Sequence, residues 1–274
     1  MIVEKVNISK RYKLEGQAEL TCYVHDSFRD NSAEYVMPAV VIAPGGAYAF
    51  VSKRESEPIA SYFLANGYNA FVLDYSVAPY CYPTQLLELA SAMDYVKSNA
   101  ERLRVDADRV FAVGFSAGGH LVGDLATEYT SLNADFGVKL DCKPAAAALC
   151  YPVINAEYLD KNGTTYTNLL GKYSDGERAE LLKKLNLDRA VTADVPPCFI
   201  WTTAQDSAVL PQGALLFATR LLDCGVMCEL HMYPKGWHGL ATADFQTNDY
   251  QPFMDKVHTW LPMCDGFFKS VKQN

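Results

Sequence analysis

Apolar and polar positions along the chain follow two periods in turn. Short runs dense in β-branched and aromatic residues give way to stretches in which apolar residues recur every three or four positions. These are the marks of strand and helix. The chain up to about Asp26 alternates as a hairpin-like start would, and Tyr35 to Ala43 reads as a strand that stops sharply at Pro44-Gly45-Gly46. Pro58 opens a helix where its missing N–H costs little. Asn66-Gly67 closes that helix, since glycine accepts the left-handed cap. Ala70 to Tyr75 is a buried strand. Leu86, Leu89, Met93, Val96 and Ala100 then form the stripe of an amphipathic helix docked on a sheet. Arg109 to Gly114, Ala145 to Tyr151, Pro197 to Ala204 and Val226 to Tyr233 read as further strands. Helices are expected over Ala117 to Thr127, up to Gly225, and on a last face carrying Phe253, Val257 and Trp260. This alternation predicts an α/β fold of one domain over 1–274, with a mostly parallel sheet flanked by helices on both faces.

One segment breaks the alternation. Residues 153–195 lie between two strands and hold a short helical stretch, Arg178 to Leu185. An insertion of that length between strands is expected to serve as a small cap over the sheet.

Composition narrows the class of partner. The 274 residues are 50% hydrophobic and 20% charged, ordinary for a globular enzyme. The net charge of −8, from 24 Lys+Arg against 32 Asp+Glu, is scattered rather than run together. It argues against a phosphate backbone as partner, and no nucleic-acid motif appears. No stretch approaches the ~18 apolar residues of a membrane span, and the opening residues do not read as a secretory signal. A cytoplasmic protein with no membrane partner is expected. The eight cysteines are dispersed, several of them within apolar strands, so they read as small core side chains rather than as disulfides. Cys224 and Cys228 lack a histidine at zinc-finger spacing, and neither a metal nor a cofactor is expected.

The chemistry centres on Gly114-Phe115-Ser116-Ala117-Gly118, a G-x-S-x-G pentapeptide between an apolar strand and a helix. That setting places a serine on a tight turn with its hydroxyl projecting from the sheet. A serine hydroxyl needs a base. Of the five histidines, His238 in Lys235-Gly236-Trp237-His238-Gly239 follows the last strand and fits a base delivered on a loop. His231 lies inside that strand as a packed or edge residue. His120 lies one turn into the helix after the serine and reads as structural. His258 is expected to be exposed on the last helix, and His25 is expected to precede the catalytic sheet. A carboxylate must hold the base. Asp206 stands just past the strand ending at Ala204 and 32 residues before His238, room for one helix and one strand. Asp194 precedes its strand, Asp124 is inside a helix, and Asp244 follows the histidine. The developing oxyanion needs donors. One is the N–H of Ala117, and others come from the loop Pro44-Gly45-Gly46-Ala47-Tyr48, where paired glycines let backbone approach a ligand.

With these residues in place, the chain resembles α/β-hydrolase serine esterases. Ile42-Ala43-Pro44-Gly45-Gly46-Ala47-Tyr48 resembles the HGGG oxyanion loop of hormone-sensitive-lipase-like esterases. It is closer to the PGGGY form of small bacterial acetyl esterases and carbohydrate esterases. Val72 to Pro79 resembles their LDYRVAP stretch, Gly114 to Leu121 matches GxSAGGHL, Trp201 to Asp206 resembles WHTAxD, and Leu230 to Gly239 resembles their closing histidine segment. The similarity runs over about residues 35–265. Pro44 stands for the first histidine of HGGG and Ala47 for its third glycine, and an alanine keeps its N–H. The resemblance implies a catalytic triad of Ser116, Asp206 and His238, with oxyanion donors at Gly46, Ala47 and Ala117. It implies a small-molecule ester substrate, short-acyl and of the acetylated-sugar kind. An amide substrate, as in a kynurenine-formamidase-type amidase or a small serine peptidase, would use the same triad. The pocket is expected near Tyr48, Tyr151 and Trp237. Apolar edges of such sheets often pair chains, which would give a homodimer.

Overall fold

The computed structural model describes residues 1–26, 35–159 and 163–271. Eight strands form one sheet: β1 (Ile2–Asn7), β2 (Glu19–Val24), β3 (Met37–Ala43), β4 (Asn69–Asp74), β5 (Val105–Phe115), β6 (Ala147–Cys150), β7 (Cys198–Thr203) and β8 (Cys228–Tyr233). Their order across the sheet is β1-β2-β4-β3-β5-β6-β7-β8. Strand β2 pairs antiparallel with β1 and with β4, and every later pairing is parallel. The expected mostly parallel sheet of an α/β-hydrolase is therefore what the chain forms.

The period-two pattern of the strands divides the core in two. Ala39, Val41 and Ala43 of β3 and Ile200 of β7 join one buried cluster, which the helices Thr84–Ser98, Ala117–Phe136 and Gln212–Asp223 cover. Val40, Ile42, Phe199 and Trp201 point the other way and pack under the helices Glu57–Ala65 and Trp260–Ser270. Both faces of the central strands are dry, which is why those strands read as continuous apolar runs.

The elements depart from the expected ones in detail. A short helix, Ile8–Tyr12, sits inside the opening hairpin, with the Asn7 side chain accepting from the Lys10 N–H at its start. The helix after Ser116 runs to Phe136, well past Thr127, and ends at Gly137 with φ 64°. Ala100 belongs to a separate turn of helix, Ala100–Leu103, and the terminal helix is split into Met254–His258 and Trp260–Ser270. The stretch 153–195 holds the helices Thr165–Leu169 and Asp175–Leu185, while 160–162 lie outside the described residues. Among the described residues no helix is long and apolar enough to cross a membrane. All eight cysteines are free thiols, most of them buried.

Candidate active site

Ser116 sits between β5 and the following helix with φ 53° and ψ −116°. A side chain at that dihedral pair is strained by roughly 1–3 kcal/mol. The turn is held from both sides: the Ser116 N–H donates to Cys150 O (3.0 Å), and its carbonyl accepts from His120 N (3.0 Å) and Val153 N (3.2 Å). Its tightness explains the flanking glycines. A Cβ on Gly114 would run into the Gly118 carbonyl, and one on Gly118 into the carbonyls of Ala43 and Pro44.

The serine Oγ lies 2.7 Å from His238 Nε2, and His238 Nδ1 lies 2.7 Å from Asp206 Oδ2. A carboxylate only accepts, so Nδ1 carries the hydrogen and Nε2 is left to accept the serine proton. Asp206 is buried, and its other oxygen accepts from Ala208 N (3.0 Å) and Val209 N (2.9 Å). The loops bearing acid and base are tied together at their roots. Thr203 Oγ1 donates to Gly236 O (2.9 Å), and Gly236 N donates to Gln205 Oε1 (3.3 Å). The Tyr151 ring stands edge-on to His238, with centroids 5.1 Å apart.

The loop after β3 closes the site. Gly46 has φ 132°, and a Cβ there would strike the Phe50 carbonyl. Ala47 (φ 53°) and Tyr48 (φ 55°) occupy the left-handed region without being glycine. The Gly45 N–H is taken by Glu55 Oε2 at 2.7 Å. Among the described residues the N–H groups of Gly46, Ala47 and Ala117 donate to no protein acceptor. Gly46 and Ala47 line, with Ser116 and His238, a cavity of about 460 Å³. Phe50, Lys53 and Arg54 form part of the same wall.

Two expectations need correction. Tyr48, Tyr151 and Trp237 do not line the cavity: both tyrosines are fully buried behind it, and Trp237 lines a neighbouring one. The Tyr48 hydroxyl donates to His120 Nδ1 (2.9 Å), and Tyr151 donates to Glu55 Oε1 (2.6 Å) while accepting from Ala241 N (3.0 Å). Burial pushes both phenols well above their ordinary range, with Glu55 adding to the effect at Tyr151. Nor is His258 simply exposed: its Nδ1 donates to Thr242 O at 2.7 Å. His120 is structural, as its place in the helix suggested. Its Nε2–H donates to Leu185 O (2.8 Å), and burial pulls it down to about 4. His231 pairs with Glu229 on the edge strand β8.

The residue that sequence reading missed is Glu55. It lies in a polar run, Lys53–Glu55, that looks like solvated surface, yet its carboxylate is buried between the loop after β3 and Tyr151, just past β6. No local signal in the sequence marks it, because its two partners, Gly45 N and Tyr151 Oη, lie on other segments of the chain.

The BD-FAE family profile matches residues 25–221, from just after β2 into the helix Gln212–Asp223. The chain belongs to the BD-FAE family. Endo-1,4-beta-xylanase B of Butyrivibrio fibrisolvens is 30% identical over 212 residues, 75% of this chain and 33% of that protein. An acetylxylan esterase of Xylanibacter ruminicola is 24% identical over 90% of this chain and 48% of that protein. The chain thus spans between a third and a half of the length of these two relatives. Among solved structures, the acetyl ester-xyloside bifunctional hydrolase of Caldicellulosiruptor lactoaceticus superposes with a TM-score of 0.79 at 33% identity, covering 94% of this chain and 90% of that one. The carboxylesterase Cest-2923 of Lactobacillus plantarum superposes with a TM-score of 0.84 at 26% identity, over 100% of both chains. These likenesses place this BD-FAE member among α/β-hydrolases whose named relatives are esterases and carboxylesterases.

Proposed function

We propose that this BD-FAE protein is a carboxylic ester hydrolase that removes short acyl groups, acetate foremost, from acetylated sugars through an acyl-Ser116 intermediate. The observation that carries the reading is the unbroken relay Ser116–His238–Asp206 on a strained turn at the wall of an open cavity. In this mechanism Ser116 Oγ attacks the ester carbonyl as its proton passes to His238 Nε2. Asp206 stabilises the imidazolium and holds its orientation. Negative charge gathers on the former carbonyl oxygen, where the N–H groups of Gly46, Ala47 and Ala117 receive it. The tetrahedral species collapses, the ester C–O bond breaks, and His238 returns its proton to the departing alcohol. Water then enters and gives a proton to His238 Nε2 as its oxygen attacks the acyl-serine. The second tetrahedral species collapses as His238 hands that proton to the departing Ser116 Oγ, which releases the carboxylic acid and restores free Ser116.

The preference for acetyl groups on sugars rests on the names of the relatives, an acetylxylan esterase and an acetyl ester-xyloside hydrolase. In this reading the segment 153–195 is the cap, and its Asn168 Nδ2 donates to Ala47 O at 2.8 Å, a tie that steadies the oxyanion loop. The test is an acyl-length series of nitrophenyl esters beside acetylated xylo-oligosaccharides and N-formylkynurenine. Turnover that survives undiminished in Ser116→Ala refutes the mechanism. A preference for the formamide refutes the substrate class.

A further inference from the structure

A second cavity of about 690 Å³ opens beside the catalytic one. Its walls include Arg54, Trp237, Phe245, Gln246, Asn248 and Gln251, and Arg54 lines both cavities. Trp237 is the residue before His238, and the Arg54 guanidinium lies against Gly239, the residue after it. We propose that this cavity is a glycan subsite, which holds the neutral sugar chain whose ester is cleaved at Ser116. The inference rests on the esterase reading above and adds where and how the alcohol part of the substrate binds.

Three features favour a carbohydrate occupant. The first is exposed aromatic surface: Phe245 is 80% exposed and Trp237 46%. Rings held out in water beside a catalytic cavity are a cost unless something covers them, and the C–H face of a pyranose ring covers an aromatic plane. Trp237 has its plane preset, because Phe253 meets it edge-on at 5.3 Å and 84°.

The second feature is the polar chemistry of the wall. Arg54 and Asp249 bring one charge of each sign, and among the described residues the side-chain amides of Gln246 and Gln251 have no protein partner. An amide both donates and accepts, as a sugar hydroxyl does, and carries no charge. A long acyl chain would call for continuous apolar walls instead.

The third is rigidity. The loop that bears these groups is fastened from inside and below. Asn248 Nδ2 and Thr247 Oγ1 both donate to Leu240 O (2.7 and 3.3 Å), Trp260 Nε1 donates to Ala241 O (2.9 Å), and Arg54 donates to Thr247 O (3.3 Å). A surface already ordered loses little freedom when ligand binds.

Such a subsite holds ground state and transition state alike, so its loss raises KM more than it lowers kcat. The experiment compares kcat/KM on acetylated xylohexaose with kcat/KM on nitrophenyl acetate, for wild type, Phe245→Ala and the pair Gln246→Ala with Gln251→Ala. Leu222→Ala, on the exposed face of the helix Gln212–Asp223, is the control. The expected result is a fall of about tenfold in the ratio for the subsite variants, carried by KM, and none in the control. Calorimetric titration of the wild type with unacetylated xylohexaose should show binding that Phe245→Ala weakens. A ratio within twofold of wild type in both variants overturns the proposal, as does an equal loss on both substrates. A loss on nitrophenyl decanoate with none on the oligosaccharide assigns the groove to an acyl chain and also overturns it. Should the wild type cleave no acetyl ester at all, the esterase reading fails, and the titration still decides the subsite by itself.

Discussion

Acidification below neutrality should destabilise this protein through His120. The imidazole is wholly enclosed between Tyr48 and Leu185, donating from Nε2 and accepting at Nδ1. Both contacts require the neutral ring, since a protonated Nδ1 could no longer accept from the phenol. Burial lowers its titration from the ordinary 6.5 to about 4. Between those values the unfolded chain binds a proton that the folded chain refuses, so stability is full above 6.5 and drains away as pH falls toward 4. At ~1.36 kcal/mol per pH unit the whole gap is worth roughly 3 kcal/mol, of which about 2 kcal/mol is gone by about pH 5. The assay is urea unfolding followed by tryptophan fluorescence, in wild type and His120→Asn, across the range from neutral to about pH 5. Asparagine keeps an acceptor for Tyr48 and does not titrate. It forfeits the bond to Leu185, which costs ~1–3 kcal/mol at every pH. The gap between the two proteins should therefore be constant above pH ~7 and shrink by about 2 kcal/mol on acidification. Parallel profiles over the whole range would refute the assignment of that slope to His120.

Other perturbations test the site piece by piece. Asp206→Asn keeps the shape but can present an N–H where His238 Nδ1 already has one, and kcat should fall by roughly 10³–10⁴-fold in a nitrophenyl acetate assay. Glu55→Gln removes the charge that Gly45 N and Tyr151 Oη share; kcat should drop about tenfold, with a stability loss of ~1–3 kcal/mol read by thermal unfolding. Gly118→Ala drives a Cβ into the carbonyls of Ala43 and Pro44, backbone that cannot swing aside, and should cost about 3 kcal/mol in a denaturant titration. Asp124 is buried one turn beyond His120, and burial, with Glu128 adding to it, raises its carboxyl well above 3.8. The folded state thus holds a proton that the unfolded chain releases, and stability declines as pH rises past 3.8. Asp124→Asn should be more stable at neutral pH, with a flatter alkaline profile in the same urea assay.

Most of the fold was legible because its signals are local. The strands β3, β5, β6 and β7 announce themselves as apolar runs, and the elbow needs only its glycines and the change from strand to helix. Chain order singled out Asp206 and His238, as each stands just past a strand end, and the two side chains meet at 2.7 Å. What was hidden depends on contacts across the chain. The helix after Ser116 runs nine residues beyond Thr127, through polar positions whose own pattern does not call for helix. Tyr48 and Tyr151 looked like pocket walls because they neighbour catalytic segments. Their hydroxyls instead point inward to His120 and Glu55, at separations of 72 and 96 residues. The side chains of a loop do not declare in sequence which way they turn.

The strained residues show why such buried polar contacts are present at all. Among the described residues, the non-glycine positions with positive φ include Ala47, Tyr48, Ser116, Tyr151, Ala241 and Ala243, and all six lie in the loops that build the site. The remaining two, Lys13 and Arg104, are helix ends. Strain of this kind persists only where surrounding bonds over-determine the backbone. Here the bonds can be named. Tyr48 is pinned by His120, which is anchored in turn to Leu185. Tyr151 is pinned by Glu55, which also holds Gly45, and its hydroxyl receives the Ala241 N–H. Glu55 therefore couples two of the strained loops through one carboxylate, and the Tyr151 hydroxyl extends the link to a third. An apolar core could not do this, because packing alone does not fix which way a peptide N–H points. In the proposed mechanism the N–H groups of Gly46 and Ala47 need that direction fixed before substrate arrives, and the buried polar groups behind the pocket supply it.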